Sequence, residues 1–240
     1  GVGIVSKSLP HGWCSAKLGQ LGEWTSGGTP SRSHPEYYGD GLPWVKTGDL
    51  PDGPVTEIPE SITALGLKNS AAKMLPPGTL LVAMYGATIG KLGVLNVAAA
   101  TNQACAALLP NGQTAEFIPY VFQYLLSQRE ELRRIGQGGA QPNISQTIIK
   151  DYGIPLPPLN EQRRIVAKLD ALQERSRRAR ASLDAVPALL DKLRQSILAA
   201  AFRGDLTRDF RHPVGKLGSI ARFIDYRGKT PTKTTSGIPL

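Results

Sequence analysis

Between residues 159 and 201 the chain carries a stripe whose members recur at alternating spacings of four and three. It runs through Ile165, Leu169, Leu172, Ser176, Ala179, Leu183, Val186, Leu190, Leu193, Ile197 and Ala200. This period places the stripe on one face of an α-helix, and at ~1.5 Å per residue that helix reaches roughly 60 Å, longer than one small core can bury. A sustained heptad seam calls for a partner helix, so the element reads as a spacer and a dimerisation or docking rod. The residues expected to make the seam are Ile165, Leu169, Leu172, Leu183, Val186, Leu190, Leu193 and Ile197.

The rod has marked ends. Ile154-Pro155-Leu156-Pro157-Pro158-Leu159 forces extended backbone before it, Asn160 is the candidate N-cap, and Glu161 sits where the helix dipole favours a carboxylate. Gly204, just after Phe202-Arg203, is the expected stop. Pro187 lies inside and costs ~3 kcal/mol in a regular helix. The heptad keeps phase through it, which predicts one kinked rod or two abutting helices over 160–185 and 187–203. The alternative is a hairpin folding back at Pro187, although no glycine, asparagine or polar turn cluster accompanies the proline.

Charge is spread unevenly. Residues 1–160 are net neutral, 161–211 carry +5, and 212–240 carry the remaining +4 of the total +9. A basic rod and tail fit a polyanion nearby, DNA or RNA, and supply a salt-sensitive, sequence-independent attraction. The plainer reading of Arg175, Arg177, Arg178 and Arg180 is a solvated helix face. The two cysteines, Cys14 and Cys105, lack metal-ligand spacing, no secretory leader is seen, and no apolar run approaches membrane-spanning length. These features predict a reduced, cytoplasmic protein with no membrane partner.

Residues 12–157 read as one globular unit of mixed α+β type. Strand-like runs at 80–84, 92–95 and 105–109 are separated by turn signals at Gly39-Asp40-Gly41, Pro76-Pro77-Gly78 and Pro110-Asn111-Gly112. A helix is expected from Pro119 to Ile135, with Tyr120, Tyr124 and Leu125 among its apolar positions. Polar, glycine-rich 136–143 predicts an exposed loop. A repeat then appears: Lys17-Leu18-Gly19 recurs as Lys216-Leu217-Gly218, Thr29-Pro30 as Thr230-Pro231, and Gly41-Leu42-Pro43 as Gly237-Ile238-Pro239. Residues 158–207 are therefore read as the spacer helix region, and 208–240 as the start of a second, truncated copy of the globular unit.

Catalytic motifs are not found. Gly86-Ala87-Thr88-Ile89-Gly90-Lys91-Leu92 resembles a phosphate loop, but three residues separate its glycines instead of four, and Leu92 stands where magnesium needs Ser or Thr. A hairpin loop is the better reading. His11, His34 and His212 are scattered near prolines and glycines, and read as surface turn residues. No methyltransferase, nucleophile or metal motif is present, so the chain is not expected to be an enzyme, to hold a metal or to need a cofactor of its own.

Taken together, the globular unit, Ile154-Pro155-Leu156-Pro157-Pro158-Leu159-Asn160-Glu161-Gln162, and a long helix ending in Phe202-Arg203-Gly204-Asp205-Leu206-Thr207 closely resemble the DNA specificity subunits of type I restriction-modification enzymes. Leu9-Pro10-His11-Gly12-Trp13, Gly28-Thr29-Pro30-Ser31, Pro43-Trp44-Val45 and Gln141-Pro142-Asn143-Ile144-Ser145-Gln146 also look like that family's pattern. The resemblance implies a target recognition domain over 12–157 that reads half of a split double-stranded DNA site, and a spacer helix that packs antiparallel to another. It implies a modification subunit using S-adenosylmethionine and a restriction subunit using ATP and Mg as partners. It also implies self-association through the rod in this half-length form. The competing class is a coiled-coil adaptor that binds other proteins. The candidate DNA readers are Gln137, Gln141, Asn143 and Ser145 in the polar loop, Thr88 and Lys91 in the glycine loop, and Lys46 after Trp44. Asn and Gln offer a donor and an acceptor together, which suits adenine, and Lys suits guanine or phosphate. Asn143 and Ser145 have an alternative role as helix caps before Ile148, and Lys91 one as a solvated turn residue.

Overall fold

The computed structural model describes residues 9–137, 142–207, 215–219 and 221. Two compact units meet in the sequence at Arg175 and Ser176. The first has a mixed α+β architecture. Its strands are β1 (Cys14–Lys17), β2 (Trp24–Ser26), β3 (Tyr38–Val45), β4 (Gly53–Val55), β5 (Ser61–Ile62), β6 (Leu80–Ala83), β7 (Leu92–Leu95), β8 (Ala100–Thr101), β9 (Cys105–Leu108) and β10 (Gly153–Leu156). Among them stand the helices α1 (Ala64–Lys68), α2 (Thr114–Ser127), α3 (Arg129–Gly136) and α4 (Gln146–Asp151).

The central sheet has the order β2-β9-β6-β7-β4, antiparallel except where β4 runs parallel to β7. Its middle strands are unbroken apolar runs because both faces are covered. Leu80 and Val82 of β6, with Ala106 and Leu108 of β9, enter a larger core that includes Ile118, Val121 and Leu125 of α2, Leu132 of α3 and Ile149 of α4. The alternate residues Leu81, Ala83, Cys105 and Ala107 enter a second core with Val45, Leu50 and Val55. This is the two-residue period of a strand buried on both sides. A three-stranded sheet, β5-β3-β8, carries Trp44 and Ile62 into a third cluster, and β1 pairs antiparallel with β10.

The three strand-like runs of the sequence are therefore β6, β7 and β9, and 86–91 is the hairpin loop between β6 and β7. Two expectations are corrected. Gly39-Asp40-Gly41 is no turn between elements: it lies inside β3 as an irregularity, where Tyr38 and Leu42 both stand opposite Ile62. The helix expected from Pro119 to Ile135 is two helices, α2 and α3, with Gln128 between them, and it begins five residues earlier. Thr114 starts it because its buried hydroxyl donates to Leu21 O at 2.9 Å, a tertiary contact that local propensity does not encode. Pro119 is accommodated inside α2.

The rod is two helices, α5 (Leu159–Asp184) and α6 (Val186–Phe202). Ala185 between them keeps right-handed helical backbone, and Pro187 falls in the first turn of α6, where a missing N–H costs least. The 4-residue hydrogen bonds from Ala185 N to Ala181 O and from Leu189 N to Ala185 O run through the junction, both at 3.2 Å. Asn160 is not the cap, since α5 already includes Leu159. Gln162 ties this end instead: its side chain is buried and donates from Nε2 to Pro157 O at 2.8 Å. Gly204 terminates α6 at a φ of +80°, with its N–H on Ala201 O.

Within the first unit, α5 is fixed to the globular core. Ile165 and Val166 pack against it, Arg163 pairs with Glu116 at 2.8 Å, and Gln123 donates to Asp170 at 3.1 Å. In the second unit the seam is uncovered: Leu183 is 70% exposed, Leu190 58% and Ile197 51%, with Val186 and Leu193 also exposed. Of the expected repeat at 208–240, the described part includes a single 3-10 turn, Leu217–Ser219, and the remainder lies outside the described residues.

Candidate nucleic-acid interface

The hairpin loop after β6 carries Thr88 and Lys91, and its shape follows from contacts with a segment fifty residues further on. Gly86 N donates to Pro142 O at 3.0 Å, Ile144 N to Met84 O at 2.8 Å, and Tyr85 pairs with Asn143 in an isolated bridge. Asn143 N in turn donates to Gly136 O at 3.0 Å. The structure thus joins the loop that carries Thr88 to the Asn143 segment and the end of α3, where Gln137 is the exposed C-terminal cap residue. Gly136 is the buried last residue of α3, so the expected loop begins one residue later, and 138–141 with it Gln141 lie outside the described residues. A Cβ at Gly136 would stand 2.7 Å from Ile89 Cδ1 and 3.2 Å from Ile144 Cγ1, so this helix end is packed too closely for a side chain.

Several candidate side chains are already engaged. Thr88 donates to Tyr85 O at 2.8 Å, closing its own loop. Ser145 is the N-cap of α4, its Oγ accepting from Ile148 N at 3.2 Å, which is the capping role. The exposed Asn143 has its backbone bound and its amide directed to no protein group among the described residues. Beside Ser145, Nε2 of Gln146 is enclosed and has no hydrogen-bond partner among the described residues.

Lys91 reaches back to Gly48 O at 3.5 Å, in the 3-10 turn Thr47–Asp49 that follows Lys46. Through that turn the loop cluster adjoins a second cluster that the sequence did not reveal. Lys46 pairs with Glu60, and Glu60 also accepts from Arg32 at 2.9 Å. The Arg32 guanidinium lies 4.1 Å from the centre of the Tyr38 ring and 5.5 Å from that of Trp44. Hydrogen bonds from Lys46 and then Arg32 hold the Glu60 carboxyl below the usual carboxylate range. Beneath it, Trp44 is buried and donates from Nε1 to Gly28 O at 3.1 Å, and Tyr38 donates to Pro30 O. Gly27 must be glycine: a Cβ there would stand 1.9 Å from Thr101 O. The Gly-Gly-Thr-Pro segment thus serves as the seat of Trp44 and Tyr38. Only the aromatic character of Tyr38 and Trp44 near Arg32 could have hinted at this arrangement, because Glu60 arrives from a distant segment.

A third arrangement fixes the hairpin loop. Arg129, at the start of α3, donates from Nε to Gly90 O at 3.0 Å and pairs with Asp52. Asp52 also accepts from Leu92 N at 3.0 Å. Among the described residues no group of three or more His, Cys, Asp or Glu could hold a metal ion, and no helix is long and apolar enough to cross a membrane. Cys105 is buried, and burial pushes its thiol up to about 12.

This geometry, polar side chains on loops seated on a rigid double core and followed by a long helix, has a counterpart among known proteins. A family model described as the type I restriction modification DNA specificity domain matches residues 10–183. The chain belongs to this family. The specificity-domain chain is 28% identical over 159 residues to the EcoR124I/EcoR124II specificity subunit of Escherichia coli, covering 64% of this chain and 39% of that protein. It is 29% identical over 165 residues to the MjaIX specificity subunit of Methanocaldococcus jannaschii, covering 67% and 38%. Among solved structures, the HsdS subunit of Thermoanaerobacter tengcongensis superposes with a TM-score of 0.63 at 30% identity, covering 83% of this chain and 47% of that one. A structure described as showing complex assembly and conformational transition of the type I restriction-modification system matches with a TM-score of 0.66 at 31% identity, covering 83% and 48%. The chain spans less than half the length of these relatives.

Proposed function

We propose that this chain is a non-catalytic specificity subunit that binds double-stranded DNA by sequence and directs the methyltransferase and restriction subunits of a type I restriction-modification system to a split target site. The observation that carries this reading is the family match across residues 10–183, the globular unit together with the first half of the rod. The reading assigns base contacts to Gln137, Gln141, Asn143 and Ser145 with Thr88, contacts to guanine or phosphate to Lys91 and Lys46, and further phosphate attraction to the basic rod. The contacts that gather Thr88, Lys91, Lys46 and Asn143 support it. With one lone pair of Oγ taken by the cap, Ser145 still offers its hydroxyl proton and a second lone pair to a base.

In the same proposal residues 12–157 are the recognition domain, 158–207 the spacer, and 208–240 the beginning of a second recognition repeat. The 3-10 turns at Leu18–Gln20 and Leu217–Ser219, which carry the same Leu-Gly pair, support the repeat. The exposed stripe Leu183, Leu190, Leu193 and Ile197 supports pairing with an antiparallel helix, a role that a second copy of α5 and α6 can fill. The modification subunit supplies S-adenosylmethionine chemistry and the restriction subunit ATP and Mg chemistry; this chain needs no cofactor and acts in the cytoplasm.

Duplex binding measured against salt tests the reading against that of a protein-binding adaptor. Affinity should fall linearly on a logarithmic salt scale, by about 0.9 per neutralised phosphate. Gln141→Ala should relax preference at one base pair by ~1 to 3 kcal/mol. Unaltered preference in Gln137→Ala, Gln141→Ala, Asn143→Ala and Ser145→Ala together would move the recognition surface elsewhere, and no salt-dependent duplex binding would favour the adaptor.

A further inference from the structure

The cluster around Glu60 has the form of an anion site already filled from within. Its two cations come from segments that meet only in the fold, Arg32 from the turn before β3 and Lys46 from the end of it, and each occupies a different carboxylate oxygen, Oε2 and Oε1. The platform under Arg32 is rigid: Trp44 and Tyr38 are each tied by a hydrogen bond to the Gly28–Pro30 segment, so the guanidinium is held in one plane by stacking and cation–π attraction. On that platform Arg32 remains 59% exposed. A hollow of about 300 Å³ opens beside it, lined by Tyr38, Asp40, Pro59, Glu60 and Ser61. Asp40 adds a second carboxylate, so the group formed by Arg32, Lys46, Glu60 and Asp40 is neutral as a whole.

Stability does not call for such a cluster, because ion pairs this exposed contribute little to folding. Its geometry does suit a ligand. Two cations spanning the two oxygens of a carboxylate are spaced to span two non-bridging oxygens of a phosphodiester, which accept charge-assisted hydrogen bonds of the same length. The cluster also adjoins the loop residues through the Lys46–Asp49 turn and Lys91.

We propose that Arg32 and Lys46 form a backbone-phosphate subsite that Glu60 holds closed: its carboxylate occupies both cations in the free chain and is displaced by a phosphate of bound duplex DNA. The inference rests on the DNA-binding reading above and adds to it a residue that restrains binding. Glu60 keeps the patch neutral toward every duplex, and any duplex that binds exchanges one of its phosphates for the carboxylate. Phosphate contacts carry no sequence information, and the subsite therefore changes affinity without changing preference.

The test titrates the full chain and its Glu60→Gln, Arg32→Ala and Lys46→Ala variants with a labelled random-sequence duplex pool across salt concentrations, and selects the preferred sequence from the same pool. Gln keeps one acceptor oxygen for Arg32, while its amide nitrogen cannot accept from Lys46 and the charge is removed. Glu60→Gln should tighten binding to every duplex alike, by about fivefold at low salt. It should steepen the salt slope by about 0.9, so that the gain shrinks about 3.5-fold between about 50 and 200 mM salt. Arg32→Ala and Lys46→Ala should weaken all duplexes alike, and Glu60→Gln added to Arg32→Ala should give a smaller gain than alone. Melting curves of each variant separate these effects from misfolding. Unaltered or weaker binding by a folded Glu60→Gln protein would overturn the inference. So would loss of preference at a single base pair, which would make Glu60 a reader of cytosine N4 instead. If the unmodified chain binds no duplex at low salt, the DNA-binding reading itself fails, a result distinct from a bound duplex that is indifferent to Glu60.

Discussion

Arg129 holds the hairpin loop in place, and Arg129→Met removes its donors while keeping much of its stem. Two bonds are lost. The Gly90 carbonyl loses the Nε–H at 3.0 Å, and Asp52 loses its cation while keeping Leu92 N at 3.0 Å. A neutral-acceptor bond of this kind is worth about 1 kcal/mol. The Arg129–Asp52 pair, with side chains 21% and 30% exposed, is worth about 1 more after screening. The expected destabilisation is thus about 2 kcal/mol, a fall in Tm of about 4 to 8 °C for a chain of this size. Asp52→Asn should cost about half as much, because Asn tolerates the left-handed backbone at φ +61° and retains an acceptor for Leu92 N. The double variant should then lose about 1 kcal/mol less than the sum. Thermal melting by circular dichroism, with urea midpoints as a check, measures all three. Affinity for duplex DNA should fall in parallel, since Thr88 and Lys91 ride on the loop that Arg129 secures. A Tm within about 1 °C of the parent, or strictly additive single effects, would refute the coupling.

Three further outcomes follow from the structure. Ser145→Ala removes the cap of α4 and should cost about 1 kcal/mol in a denaturation experiment. Burial pushes the phenols of Tyr120 and Tyr152 up to about 12 and raises Tyr124, and because these raised values favour the protonated, folded form, the stability they contribute is complete below pH 10 and lost as pH rises toward 12. Absorbance of tyrosinate should therefore show these phenols ionising together with alkaline unfolding, and their early ionisation in a folded chain would contradict the burial. Leu183→Asp with Leu190→Asp should leave the first unit folded and yield monomers by light scattering; a monomer at tens of micromolar for the unmodified chain would dismiss pairing through the rod.

The elements that were legible in the sequence are those whose signal is local or periodic. The rod showed its heptad, Pro187 and Gly204 its joints, and β6, β7 and β9 their apolar runs. What escaped depends on distant partners. Thr114 starts α2 because Leu21 O waits for its hydroxyl, Gly39 and Gly41 bend a strand because Ile62 is shared across the irregularity, and Gln162 replaces Asn160 in tying down the helix because Pro157 O faces it. The candidate site divides the same way. Ser145 was readable as a cap, whereas the Arg32–Glu60–Lys46 cluster and the Arg129–Asp52 clamp join residues 14 to 77 positions apart. No periodicity links such residues.

The central claim, that this chain tells a methyltransferase where to act, is tested most directly by assembling it with its modification subunit, S-adenosylmethionine and random-sequence duplex DNA, and mapping the methylated adenines. The account predicts N6-adenine methylation confined to one split site and dependent on this chain. If two copies pair through their rods, the site should be an inverted repeat with a fixed gap, because identical domains related by a two-fold axis read the same half-site twice. An asymmetric site would contradict the pairing, and methylation indifferent to the presence of this chain would contradict the specificity role itself.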